Sequence, residues 1–359
     1  MPLKKQQNPL TIVIKNLEKS YDDLVILKAI NLEVPQGQIL GVIGKSGAGK
    51  STLLRCLNGL EQPSKGSITI NGKLFTGISD LDRRKIQQKI GNVFQNFNLL
   101  SCLTALENVM FPLKLRKGNP QQNHLKALKM LNLVGLKGKE NDYPSQLSGG
   151  QCQRIAIARA LITDASLLLC DEFTSALDIE TSLEILELLR DLNKRLGITI
   201  ILITHDMTII REICDEVCVL DEGQIVEKND ITSILLHPQS TITKSLIRNL
   251  VNKDLPYHLQ EILTQNPRKG FVVLLRLFFS SQTAGEPIIS SIVRKYELSI
   301  NILFGNLDHI RETAFGCLTI TVPYEVSKVK EIMNDLDQRG VSSEILGYLP
   351  QNGENTWKN

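Results

Sequence analysis

Nine residues near the start of the chain have the types and spacing that hold a triphosphate. They are Gly44-Lys45-Ser46-Gly47-Ala48-Gly49-Lys50-Ser51 and the Thr52 that follows. Glycines let successive backbone N–H groups turn inward around phosphate oxygens, and a helix starting at the loop's end adds its positive dipole end. In this pattern Lys50 reaches the β- and γ-phosphates and the Ser51 hydroxyl ligates Mg²⁺. Asp171 and Glu172 follow the apolar run 167–170. Asp171 is expected to hold the Mg²⁺ shell, and Glu172 to polarise a water for in-line attack on the terminal phosphate. His205 ends the apolar run 198–204 and is placed to contact that phosphate and the water. Gln95, leaving Val93-Phe94, is the candidate for a further contact to Mg²⁺ or water.

A second anion-binding nest lies at Leu147-Ser148-Gly149-Gly150-Gln151, ahead of an Ala/Ile-rich helix. One terminal phosphate has no use for two nests in one domain. A head-to-tail pair of chains does, because each nest then closes over the other's nucleotide. The pattern therefore predicts a homodimer with two composite sites at its interface.

Such loops need strands and helices to aim them. Short apolar runs at 39–43, 167–170 and 198–204 fit a parallel sheet covered on both faces, an α/β arrangement. Asn71-Gly72 and Asp221-Glu222-Gly223 each join two strand-like runs as hairpins. Leu183, Leu186, Leu189, Leu192 and Leu196 form a stripe at helical spacing and predict a covering helix. From 237 to 269 three prolines separate short amphipathic pieces, as in a connection containing some helix. Beyond it the order is strand, helix, strand, strand, helix, strand. This ferredoxin-like βαββαβ unit spans 270–350.

Composition narrows the class further. The chain has 359 residues, 42% of them hydrophobic and 22% charged, enough to bury a core. A net charge of +3, dispersed along the chain, predicts no nucleic-acid partner. Seven cysteines without a CxxC pair argue against a disulfide framework or a zinc site. The opening MPLKKQQNPL does not read as a secretory signal, and no apolar run reaches the ~18 residues of a membrane span. The expectation is a soluble, intracellular protein whose membrane role, if any, is peripheral.

Taken together, these motifs resemble the ABC-type ATPase domain. The phosphate loop, the Q-loop at Gln95 and the signature at Leu147 to Gln151 occur in that family's order. The Asp171-Glu172 pair, the Ser175-Ala176-Leu177-Asp178 D-loop and the switch histidine His205 follow. The resemblance covers 10–244 and implies an ATP-binding domain with a helical subdomain at about 96–150. It assigns ATP and Mg²⁺ as cofactors, places Tyr21 against adenine, and gives Ser148, Gly149, Gly150 and Gln151 to the partner's nucleotide. Two positions depart from the family: Cys152, often polar or basic, and Phe173, commonly small. Phe173 is expected to crowd the site as it closes.

Repair ATPases of this type carry long coiled-coil insertions between the elements of Lys50 and Asp171, and translation-type members carry two ATPase cores. This chain has neither. The resemblance therefore implies a transporter subunit at the cytoplasmic face of the bacterial inner membrane. There it pairs with itself and docks two integral-membrane permease subunits, served indirectly by an extracytoplasmic substrate-binding protein. Phe97, Leu99, Leu100 and Leu103 are candidates to line the permease groove.

The tail narrows the choice within the family. An importer-type ATPase ending in a βαββαβ domain resembles the ATPase subunits of bacterial methionine importers. There the paired tails bind methionine as a regulatory ligand and hold the ATPase cores apart. Asn301 matches the ligand-contacting asparagine of that tail, and a simple strand-start asparagine is the other reading of it. An importer of another amino acid, with the tail acting only as a dimerisation clamp, remains the alternative.

Overall fold

In the computed structural model, residues 9–114, 119–236, 238–251, 257–268, 270–279, 283, 285–310 and 313–350 are described, and the chain divides between Leu246 and Ile247 into two units. Of the expected connection at 237–269, His237, residues 252–256 and Lys269 lie outside the described residues.

The first unit opens with two long strands, β1 (Leu10–Tyr21) and β2 (Leu24–Pro35), then β3 (Ile39–Ile43), α1 (Lys50–Leu57) and the hairpin β4 (Lys65–Ile70)–β5 (Lys73–Leu74). It continues through α2 (Asp80–Gln87), β6 (Ile90–Val93), α3 (Ala105–Lys114), α4 (Pro120–Leu133), α5 (Gly149–Leu161), β7 (Leu167–Asp171) and α6 (Ile179–Leu196). Then come β8 (Thr199–Ile203), α7 (Met207–Ile213), β9 (Glu216–Asp221), β10 (Gln224–Asp230) and α8 (Ile231–Leu236), and the division between the units falls within α9 (Thr241–Val251). One sheet runs in the order β10-β9-β3-β8-β7-β6, parallel except for β10. The other, β2-β1-β4-β5, is antiparallel.

Every residue of β3 and β8 is buried, as strands with helices or a second sheet on both faces must be. The core between the sheets joins Ile12, Ile14 and Leu27 to Leu40, Leu53, Leu169 and Ile201. Burial of such apolar area, at about 25 cal/mol per Å², is what fixes the strand ends that carry the site.

The predicted stripe on α6 is only partly right. Leu186, Leu189 and Leu192 are buried with Ile185, while Leu183 is 41% and Leu196 47% exposed. Two successive i+3 steps from Leu189 back to Leu183 turn a side chain about 120° away from the buried face. Ile185, one i+4 step from Leu189, takes the core position instead. Leu196 is the helix's last residue, before the left-handed cap at Gly197.

In the second unit, α10 (Tyr257–Ile262) precedes β11 (Phe271–Phe279), α11 (Ile288–Tyr296), β12 (Asn301–Ile310), β13 (Thr313–Pro323), α12 (Val326–Gln338) and β14 (Ser342–Pro350). The antiparallel sheet order β12-β13-β11-β14 is that of a ferredoxin-like fold. Alternation on β11 sends Val273, Leu275 and Leu277 into the core with Ile292 of α11 and Ile332 and Leu336 of α12. Leu274 packs on the other face with Leu259 and Leu349.

Candidate nucleotide site

The buried strand β3 delivers Gly44 to the C-terminal edge of the sheet. A Cβ at position 44 would sit 2.1 Å from the Leu220 carbonyl oxygen, so only glycine lets the loop pass the end of β9. Behind it, Gly223 N donates to Ala48 O over 3.1 Å, which braces the loop on the β9–β10 turn. Gly49 is the N-cap of α1. Lys45, Ser46, Gly47 and Ser51 are exposed, and Thr52 is half-buried. Lys50 Nζ donates to the carbonyls of Gly44 (2.7 Å) and Lys45 (2.9 Å). Burial pulls the Lys50 pKa down, and the charges of Glu172 and Asp171 pull it back up. The ammonium is thus within electrostatic reach of both carboxylates.

Asp171 closes β7 half-buried, and burial first, then the charge of Glu172, push its carboxyl above the usual range. Glu172 N donates to Ile203 O over 2.9 Å, extending the β7–β8 ladder by one bond. The backbone then turns at φ 42°, a left-handed conformation rare outside glycine. That turn lays Glu172 Oε1 3.0 Å from His205 Nδ1 at the end of the neighbouring strand. An ionised carboxylate only accepts, so it assigns a proton to Nδ1. Ser175 N (3.1 Å) and Oγ (2.8 Å) both donate to the Glu172 carbonyl and fix the turn.

The other expected residues stand as follows. Gln95 is exposed just beyond β6, the strand paired with β7. Tyr21 ends β1 with its ring partly exposed. Ser148 caps α5 reciprocally: Gln151 N donates to Ser148 Oγ (3.3 Å), and Ser148 N to Gln151 Oε1 (3.0 Å). Gly149 is exposed beside it, and Gly150 is buried. A Cβ on Gly150 would lie 2.5 Å from Thr181 Cγ2, and one on Gly149 3.1 Å from Leu177 Cδ2. These glycines therefore also let α5 approach the loop 175–178 and α6. Asn301 opens β12 in the second unit, exposed and opposite Thr321.

Both atypical residues turn out to be core residues. Phe173 is 1% exposed, so its ring adds no bulk to the site, contrary to the expected crowding. Cys152 is buried with Sγ 3.6 Å from Pro144 O, and burial raises its thiol pKa.

The donor set fits Mg²⁺. A half-buried carboxylate with a raised pKa gains from a divalent cation, and one hydroxyl plus one carboxylate is the sparse oxygen set that Mg²⁺ accepts while keeping waters. Asp171 and Ser51 would hold it, and its charge would offset that of the phosphates.

A groove of about 620 Å³ lies on the first unit, lined by Arg84, Gln87, Phe94, Phe111, Pro112 and Arg159 among others. The predicted Phe97, Leu99, Leu100 and Leu103 do not line it. Phe97 and Asn98 are left-handed, and Arg159 donates to both their carbonyls (2.7 and 2.6 Å). The Asn108 side chain binds Leu100 N and O and Leu103 O, which folds that segment onto α3. Nothing in the spacing of the segment announced either clamp.

The chain is similar to known proteins over most of its length. Residues 27–175 match the family model described as ABC transporter, and residues 273–345 match the NIL domain. The methionine import ATP-binding protein MetN of Coxiella burnetii is 43% identical over 342 residues, covering 94% of this chain and 97% of that protein. The MetN of Desulfitobacterium hafniense is 42% identical, covering 93% and 99%. Among solved structures, the dimeric ATP-binding cassette MJ0796 in a post-hydrolysis state with ADP and Pi matches with a TM-score of 0.56 at 37% identity, covering 61% of this chain and 98% of that one. The cbiO1 of Clostridium perfringens, part of the ABC transporter complex cbiONQ, matches at 0.60 and 31%, covering 70% and 99%.

Proposed function

This chain belongs to the family of methionine-import ATP-binding proteins of ABC transporters, and from that membership and the site we propose that it powers methionine uptake under feedback control by methionine. Its activity is ATP hydrolysis coupled to transport. The observation that carries the reading is the Glu172–His205 contact, 3.0 Å long, at adjacent strand ends, with Lys50 close enough to feel the charges of Glu172 and Asp171. Gly44 to Thr52 wrap the phosphates and Tyr21 meets the adenine. Asp171, Ser51 and Gln95 serve Mg²⁺. Glu172 accepts hydrogen bonding from the attacking water and draws its proton, while His205 orients Glu172 and faces the terminal phosphate.

Two copies work as a homodimer, head to tail, with Ser148, Gly149, Gly150 and Gln151 of each closing over the other's nucleotide. Its exposed serine and glycine leave that nest open to a second chain. In each copy the groove beside Arg159 receives a cytoplasmic helix of one of the two permease subunits at the inner face of the bacterial membrane, and a substrate-binding protein delivers methionine outside. No helix among the described residues is long and apolar enough to cross a membrane. The tail binds internal methionine near Asn301 and favours separated cores. A sensor that moves a 99:1 balance to 1:99 must prefer one state by ~5.5 kcal/mol.

The test is reconstitution with the permease in vesicles. ATP-dependent accumulation of methionine ahead of other amino acids supports the reading, and preference for another amino acid overturns it.

A further inference from the structure

Lys19 lies where none of the motifs reach, yet three independent contacts converge on it. Its Nζ sits 4.6 Å from the centroid of the Tyr21 ring. The same ammonium pairs with Glu61 at 2.9 Å and donates to the Gln62 carbonyl at 2.9 Å. Glu61 and Gln62 follow α1, the helix that begins at Lys50, and Glu61 N donates to Arg55 O in its last turn over 3.0 Å. Next door, Ser20 N donates to Ser64 Oγ (3.0 Å), and Ser64 N to Glu18 O (2.7 Å). The end of β1 is thus stitched to the far end of the phosphate-binding helix.

We propose that Lys19 is a positioning residue for base recognition: held by Glu61 and Gln62, it fixes the Tyr21 ring from one side and leaves the other side for a purine. The proposal rests on the reading of Tyr21 as the aromatic that meets adenine. The Lys19 side chain is 12% exposed and Tyr21 is 38% exposed, so the tyrosine keeps open surface beside a largely covered lysine. A cation over a ring is attracted by the ring's quadrupole, which orders a side chain that would otherwise rotate at the end of a strand. Glu61 keeps its charge for this task. Its carboxyl is held below the usual range, first by the Lys19 hydrogen bond and in smaller part by the Tyr21 hydroxyl. Because Lys19 is anchored to the segment after α1, the platform for the base and the loop for the phosphates hold a fixed spacing. The ligand class selected is a purine nucleoside triphosphate rather than a bare polyphosphate.

The test compares equilibrium binding of ATP and of inorganic tripolyphosphate, each with Mg²⁺, to the full chain and its K19M, K19R and Y21A variants. K19M is expected to weaken ATP by about 2- to 5-fold, the strength of an exposed cation–ring contact. It should leave tripolyphosphate unchanged. K19R should restore ATP affinity, and K19M added to Y21A should cost nothing more. Equal weakening of both ligands by K19M would mean that Lys19 acts through the phosphate helix, and would overturn the proposal. So would unchanged ATP affinity in K19M alongside a loss in Y21A, which leaves the role of Tyr21 intact. Unchanged ATP affinity in Y21A would remove the platform and the proposal with it.

Discussion

Glu172 Oε1 and His205 Nδ1 stand 3.0 Å apart although 33 residues separate them, because β7 and β8 are parallel neighbours that end side by side. The left-handed turn at Glu172 is what bends the carboxylate toward the histidine. With its Nδ1 proton committed to the carboxylate, the imidazole holds one orientation for both groups.

Removing the charge at this contact is expected to separate binding from hydrolysis. Glu172→Gln should bind ATP as before, accumulate a nucleotide-bound dimer, and hydrolyse ~10²- to 10⁴-fold more slowly, the usual contribution of a positioned base. Single-turnover hydrolysis beside gel filtration with ATP reads both effects. Turnover within a few-fold of the parent would take Glu172 out of this role.

A second prediction concerns the approach of α5 to α6. Gly150→Ala places a methyl 2.5 Å from Thr181 Cγ2 and should destabilise the first unit by about 1–3 kcal/mol, the usual cost of overpacking. Thr181→Ser in the same chain removes that methyl and keeps the hydroxyl bonded to Asp178 Oδ2 at 2.7 Å. Denaturant melts should show the double variant recovering most of the loss. No recovery would place the strain elsewhere.

Acid should act on the tail through Asp335. Burial alone would raise its pKa, but hydrogen bonds from Lys295 and Arg339 outweigh that and hold the carboxyl below its ordinary value of 3.8. A depressed folded-state pKa contributes stability that is present above the unfolded value and is lost as pH falls through the folded one. Arg339 also donates to Ser291 Oγ at 2.9 Å, so the cluster ties α12 to α11. Asp335→Asn should therefore cost about 1 kcal/mol at neutral pH and converge with the parent as pH falls below the carboxyl's lowered folded-state value. Thermal melts of the full chain across pH measure it, and a gap that widens in acid would contradict the assignment.

Feedback by methionine carries its own prediction. L-methionine should lower ATP hydrolysis by the assembled transporter, and Asn301→Ala should abolish that response while basal hydrolysis persists. An Asn301→Ala complex that remains inhibited would move the sensor away from β12.

Much of this architecture could be read from the chain, and the failures have physical causes. The phosphate loop, the Asn71-Gly72 hairpin and the buried strands were legible because their chemistry is local: glycine turns, and apolar runs with two covered faces. The long pair β1–β2 was not. On β1 the buried positions step from Ile12 and Ile14 to Leu17, and on β2 from Leu27 to Ile30. The bulges at Asn16 and Ala29, both at positive φ, shift the alternation by one, so no simple period survives. Side-chain bonds between Asn16 and Asn31 pin the distortion. Arg159 was equally hidden, since a clamp on carbonyls 61 and 62 positions away leaves no mark on spacing.

The most direct test of the account mixes two damaged chains in one transporter, one carrying Lys50→Ala and the other Ser148→Arg. If each nucleotide lies between Lys50 of one chain and Ser148 of the other, this mixture retains one intact site. It should hydrolyse ATP well above either variant alone, while a chain bearing both changes, paired with an undamaged one, should not. The opposite pattern, activity only when both changes sit on the same chain, would show that each chain completes its own site.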